Sequence, residues 1–220
     1  MKHNLKIIYM ALLAVMVWTA LIIQFYISSV KFLADGRTLG GGLVQLWSYF
    51  TIQNNFLVAL AMTVPLLWPA SKPGKLLAKP SILTAFAVYI TVVGLVYQII
   101  LRPQVTQYGW FAFCDEILHS LCPPMFILYW LIFVDTLKMP WRLALNWLSY
   151  PFIYCIYILI RGGISGYYPY SFIDGNKLSY PQIFINCVFL LILFLGLGII
   201  LIAIKRRWSK TPAAAIIPLA

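Results

Sequence analysis

The stretch IIYMALLAVMVWTALIIQFYISSV, residues 7–30, runs for 24 residues without one charged side chain. A helix needs ~20 apolar residues to cross a hydrocarbon core about 30 Å thick, so this run is long enough to span a bilayer. It follows MKHNLK, an opening that imitates a signal peptide. A secretory apolar core is only ~7–15 residues long and ends in an A-x-A site, and neither condition holds here, so the segment is expected to persist as a first span. Five further apolar runs follow at 43–68, 81–101, 115–136, 141–160 and 181–204. Alternating segments of about 10 residues, the mark of a membrane β-barrel, are missing from the sequence. The expected fold is all-α: a polytopic membrane bundle of six transmembrane helices forming a single integral domain over 1–220.

Composition agrees with that reading. Of 220 residues, 63% are hydrophobic and 10% charged, with mean hydropathy +0.91, far from the composition of a soluble domain. The net charge of +11 comes from 16 Lys and Arg against 5 Asp and Glu. In a soluble chain such a balance points to nucleic acid, but here the cations sit at loop ends. Taking the N-terminus as cytoplasmic places Lys2, Lys6, Lys72, Lys75, Lys79, Lys138, Arg142, Lys205, Arg206, Arg207 and Lys210 inside and Lys31, Arg37, Arg102, Arg161 and Lys177 outside. Basic residues gather on cytoplasmic loops, so both termini are expected in the cytoplasm and the protein in the cell (inner) membrane. Nucleic acid is not an expected partner; membrane lipids are.

Polar residues inside the apolar runs carry the candidate chemistry. In the second run Gln45, Ser48, Thr51 and Asn55 fall on one arc of about 120° if the whole run is a single helix. Such a face looks into the bundle, either for helix packing or to line a site. The fourth run holds His119, with Asp115 four residues before it on the same face, where a carboxylate can orient an imidazole. Asp115 and Glu116 equally suit the positive end of a helix starting there. Pro123 and Pro124 lack the amides that would bond the carbonyls of His119 and Ser120, which predicts a kink and a polar opening beside the histidine. Counting 1.5 Å per residue from the outer side, Thr51 lies roughly 12 Å and His119 roughly 6 to 13 Å down, so the two can meet.

A hydroxyl facing an imidazole with a carboxylate behind it is the arrangement of an activated nucleophile. The same residues equally suit a polar pocket of a small transporter or lipid-binding protein. Haem, zinc and di-iron centres need clustered ligands, and His119 has none beside it in the runs, so no cofactor or metal is expected. Cys114, Cys122, Cys155 and Cys187 show no metal or redox spacing. The late outer connection, 161–180, is Gly-rich and then aromatic, and reads as a mobile turn feeding an interfacial segment.

Three motifs, YFTIQNN (49–55), EILHSLCPPMFIL (116–128) and RGGISGYYPYSFID (161–174), resemble the androgen-induced-gene and androgen-dependent-inhibitor family of multi-pass membrane proteins. The resemblance covers about 41–174, and the chain looks closest to a compact, prokaryotic-like branch. It implies an intramembrane threonine hydrolase that cleaves fatty acid esters of hydroxy fatty acids or similar lipid esters. The family's catalytic threonine, in an aromatic-Thr motif, matches Thr51 after Phe50. Its catalytic histidine, several residues before a proline, matches His119. A Tyr-Pro-aromatic segment matches Tyr168, Pro169 and Tyr170. The acidic pair Asp115 and Glu116 departs from the neutral surroundings of the family's histidine.

With that resemblance the expected catalytic pair is Thr51 and His119. Asp115 is the expected support of the imidazole, and Asn55 or Ser120 the donor to an oxyanion. Arg161 is placed either to hold a substrate carboxylate or as a snorkelling interfacial cation. Tyr168, Tyr170 and Asp174 complete the expected substrate-binding set. The expected partner is a lipid or fatty-acid-type substrate.

Overall fold

The structure, a computed structural model, describes residues 1–135 and 139–208. The expected end of the fourth span at Thr136, and the basic residues Lys138 and Lys210, lie outside the described residues. Among the described residues the chain is helical with no strand, and six helices are long and apolar enough to cross a membrane. They run Lys2–Ala34, Phe50–Leu67, Pro80–Gln104, Gly109–Phe133, Arg142–Ser165 and Tyr180–Arg207. The chain is thus an integral multi-pass membrane protein.

Its interior is filled by side chains of the first four spans, among them Leu13, Val17, Leu21, Val58, Met62, Ile90, Phe126 and Trp130. Outward residues such as Leu12, Val15, Ile22, Ile153, Phe184 and Phe189 are exposed and apolar, as a lipid-facing surface requires. The few buried polar groups pair across helices. Trp130 donates to Thr84 Oγ1 at 2.8 Å, Trp18 to Thr63 Oγ1 at 3.0 Å, and Tyr89 to the Trp147 carbonyl at 2.7 Å. Lys205 reaches from the sixth span to the end of the fourth, donating to the carbonyls of Leu131 (2.8 Å) and Val134 (2.7 Å) over the face of Trp130. A cation on those terminal carbonyls satisfies the last carbonyls of the helix and complements its negative end.

Two departures from the expected helices shape the site. The run over 43–68 is not one helix: a short helix, Leu39–Trp47, ends at Ser48, and the spanning helix begins at Phe50. Thr38 caps the short helix, its hydroxyl accepting from Gly41 N at 3.2 Å. At the break the Ser48 carbonyl is taken by the Tyr154 hydroxyl at 2.7 Å, and Tyr49 is extended (φ −79°, ψ 124°), so the helical ladder cannot pass through. Gln45 and Ser48 therefore do not share a helical face with Thr51 and Asn55. Thr51 stands in the first turn of its helix and not roughly 12 Å along one.

The fourth span starts at Gly109, earlier than Asp115, so Asp115 and Glu116 stand beyond the first turn and do not serve the helix dipole. Within it Ile117–Leu121 forms a π-turn, and a second π-turn, Tyr97–Leu101, interrupts the third span. The prolines explain the former. With Pro123 and Pro124 unable to donate, the Cys122 amide reaches back five residues to the Ile117 carbonyl. The carbonyl stranded by this shift is that of Leu118, not those of His119 and Ser120 alone, and the Asn55 amide fills it at 3.1 Å.

Candidate active site

The break before Phe50 and the π-turn at His119 bring together residues 68 apart in sequence. Thr51 Oγ1 lies 3.1 Å from His119 Nε2. On the other side of the ring, Nδ1 lies 3.0 Å from Asp115 Oδ1 and 3.0 Å from the Asp115 carbonyl. Two acceptors at Nδ1 favour the neutral tautomer with its proton there, in which Nε2 is the acceptor facing the Thr51 hydroxyl. Thr51 therefore donates to Nε2, the direction required for its proton to be removed.

Tyr97, from the π-turn of the third span, completes the support. Its hydroxyl donates to Asp115 Oδ2, and its ring stacks on the imidazole with centroids 4.0 Å apart and planes at 16°. Asp115 is thus held at both oxygens and His119 at one face. Close approach of the two spans is possible because Gly94, one turn before Tyr97, has no side chain: a Cβ there would stand 3.0 Å from Pro123 Cβ. Tyr97 is the residue that the sequence reading missed. Its one signal was a polar pair, Tyr97 and Gln98, set in an otherwise apolar run.

Asn55 anchors the base of the site and does not face a reacting atom. Both N–H bonds of its amide are committed, to the Thr51 carbonyl at 2.9 Å and the Leu118 carbonyl at 3.1 Å. It cannot also donate to an oxyanion, so the expected role is corrected to that of a clamp between the helices that carry Thr51 and His119. Ser120 is also corrected. It points to the far face of the fourth span, where Gln98 donates to it at 2.8 Å beside the Arg102–Glu116 ion pair.

The late connection contributes one of its four expected residues. Tyr170 drops into the bundle and is buried, its hydroxyl accepting from the Thr51 amide at 3.4 Å. It stacks on Phe172 and meets Tyr49 edge-on, and Ile173 beside it is buried too, so the aromatic segment packs into the bundle where an interfacial one was expected, while Gly162 and Gly163 lie within the helix Ser149–Ser165 and not in a turn. Tyr168 instead fills the gap between Gly162 and Gly175, where any Cβ would collide with its ring. Arg161 lies over the ring of Tyr167 and donates to that residue's carbonyl at 3.5 Å. Asp174 accepts from the Asn176 amide at 3.0 Å and pairs with Lys177, which makes it a turn-former. Arg161, Tyr168 and Asp174 line neither cavity at Thr51.

Those two cavities define what the site can hold. A cavity of about 510 Å³ opens beside the Thr51–His119 pair, and Gln24, Ser28, Lys31, Gln45 and Gln107 give it a polar wall. A narrow apolar pocket of about 50 Å³ lies on the other side of Thr51, between Val92, Val96, Phe172 and Phe194. Thr51, Leu101 and Tyr170 line both, so the nucleophile candidate sits where a larger cavity with some polar groups in its wall meets a narrow apolar one. This placement suits an amphiphile with its polar bond at Thr51.

Fold and site together define a class: a six-span membrane protein with a supported Thr–His pair at a buried junction of two cavities. No family model, curated protein or solved structure matches this chain.

Proposed function

We propose that this protein is an intramembrane hydrolase of lipid esters, such as fatty acid esters of hydroxy fatty acids, with Thr51 as nucleophile and His119 as general base. The observation that carries the reading is the 3.1 Å contact from Thr51 Oγ1 to His119 Nε2, backed at Nδ1 by Asp115. The three short motifs that resemble the androgen-induced-gene and androgen-dependent-inhibitor family point to the same reading. His119 takes the Thr51 proton as Oγ1 bonds to the ester carbonyl carbon. The tetrahedral intermediate collapses by breaking the bond to the alcohol oxygen, which takes the proton from His119. A water then gives its proton to His119 and attacks the acyl-threonine, releasing the acid and restoring the hydroxyl.

In the orientation that leaves the basic loops cytoplasmic, the site opens toward the outer face of the cell (inner) membrane, with both termini inside. Purified in nanodiscs, the protein is expected to hydrolyse lipid esters and to react with a fluorophosphonate probe. Thr51→Ala and His119→Ala each abolish both while the folded protein is retained. Undiminished labelling of Thr51→Ala refutes the nucleophile. Saturable lipid binding without turnover, surviving in Thr51→Ala, marks a lipid-binding or transport protein instead.

A further inference from the structure

We propose that Tyr170 is the residue that stabilises the oxyanion of the reaction, its phenol proton hydrogen-bonding to the carbonyl oxygen as Thr51 attacks. The inference rests on the hydrolase reading above and starts from an accounting of donors. An ester carbonyl that becomes tetrahedral in a membrane interior carries a full negative charge with no bulk water to solvate it, so a protein donor must be in place.

Several of the side-chain donors closest to Thr51 are committed elsewhere. The Asn55 amide serves two carbonyls. Ser120 faces the opposite side of its helix. The Tyr154 hydroxyl donates to the Ser48 carbonyl, and those of Tyr49 and Tyr167 pair with each other. The Thr51 amide itself points at the Tyr170 oxygen. The Tyr170 hydroxyl, in contact with those of Thr51 and Tyr154, keeps its phenol proton beside the nucleophile.

Its surroundings make that proton a strong donor. The break after Trp47 leaves Tyr49 as an N-cap with no capping side chain, so the first amides of the Phe50 helix need an outside acceptor. The Tyr170 oxygen takes one of them, the Thr51 amide at 3.4 Å. Burial raises the phenol's proton affinity above the ordinary tyrosine value, while this amide opposes that effect. Tyr170 therefore stays protonated at neutral pH, yet the Thr51 amide polarises its oxygen. A hydroxyl that accepts at its oxygen donates more strongly through its proton, and the positive end of the helix favours the anion that forms. Tyr170 also lines both cavities with Thr51, so it stands beside a scissile bond placed at their junction.

Tyr170→Phe tests this in the full-length protein in nanodiscs, with an oxoester and its thionoester as substrates. Losing one oxyanion donor is expected to lower kcat on the oxoester by about 10²-fold or more with little change in KM. Sulfur accepts hydrogen bonds poorly, so wild type should prefer the oxoester, and this preference should collapse in Tyr170→Phe. A loss of activity with an unchanged oxo-to-thiono ratio shows a merely structural tyrosine and overturns the proposal, as does wild-type kcat. If Tyr170→Phe does not fold, 3,5-difluorotyrosine at position 170 keeps the amide contact with a more acidic phenol. It should raise the ratio, and an unaltered ratio overturns the proposal. Thr51→Ala separates the two levels: Tyr170 can fail while Thr51-dependent hydrolysis persists, whereas loss of the hydrolase reading leaves no Thr51-dependent turnover in wild type.

Discussion

Replacing Asp115 by Asn asks what the carboxylate adds beyond geometry. Nδ1 of His119 has two acceptors on Asp115, the side-chain oxygen and the backbone carbonyl, each at 3.0 Å. In Asp115→Asn the carbonyl still holds the Nδ1 proton, so the productive tautomer survives. What disappears is the charge that stabilises the imidazolium formed as Thr51 gives up its proton. Two unit charges about 4 Å apart interact by about 4 kcal/mol at an effective dielectric near 20. The Asp115 side chain is 18% exposed and shares its charge with the Tyr97 hydroxyl, which reduces the effect to about 2–3 kcal/mol. Since 1.36 kcal/mol is tenfold in rate, kcat is expected to fall about 30- to 150-fold with KM nearly unchanged. The assay is steady-state hydrolysis of a lipid ester in nanodiscs, with His119→Ala as the inactive reference. A fall below threefold refutes an electrostatic role for the carboxylate. A fall to the His119→Ala level shows that the backbone carbonyl does not hold the tautomer.

Two further outcomes follow from the site's supports. Asn55→Leu leaves the Leu118 carbonyl without its donor but also removes the Asn55 side-chain oxygen, which has no partner in the protein. The net cost is expected at about 1–2 kcal/mol of stability, with kcat down more than tenfold because the His119 turn loosens; unchanged thermal unfolding and kcat refute the clamp. Alkaline pH acts through Tyr49 and Tyr170, whose phenols are raised above the ordinary value of 10.0 chiefly by burial. The unfolded chain loses these protons first, so their contribution is complete below about pH 10 and is lost as pH rises above it. Thermal unfolding from pH 9 to 11 checks this, and Tyr170→Phe should flatten the decline.

The spans were legible because a bilayer imposes one requirement on every residue in a run, and runs such as 7–30 and 181–204 meet it by composition alone. Thr51, His119 and Asp115 were legible for the converse reason, since polar groups there need a local cause. Arg161, Tyr168 and Asp174 were misplaced because loop contacts are decided by tertiary fit. Tyr168 packs into a slot made by two glycines 13 residues apart, Gly162 and Gly175, and no local pattern encodes that meeting. The break at Ser48 was equally hidden, since it depends on the hydroxyl of Tyr154 more than 100 residues away.

The two π-turns bear on why the site is where it is. A π-turn inserts one residue into the helical ladder, rotating everything beyond it by about 100° relative to an uninterrupted helix. One occurs at Tyr97 in the third span and one at His119 in the fourth, and the two side chains they redirect are stacked on each other. Pro123 and Pro124 oblige the second turn, but prolines say only that bonds must be lost. Asn55, by filling the Leu118 carbonyl, selects which register is kept. That register points His119 at the helix from which Asn55 itself projects, one turn beyond Thr51. The asparagine thus joins the two halves of the pair: the same amide that stabilises the histidine's turn bonds the carbonyl of the threonine.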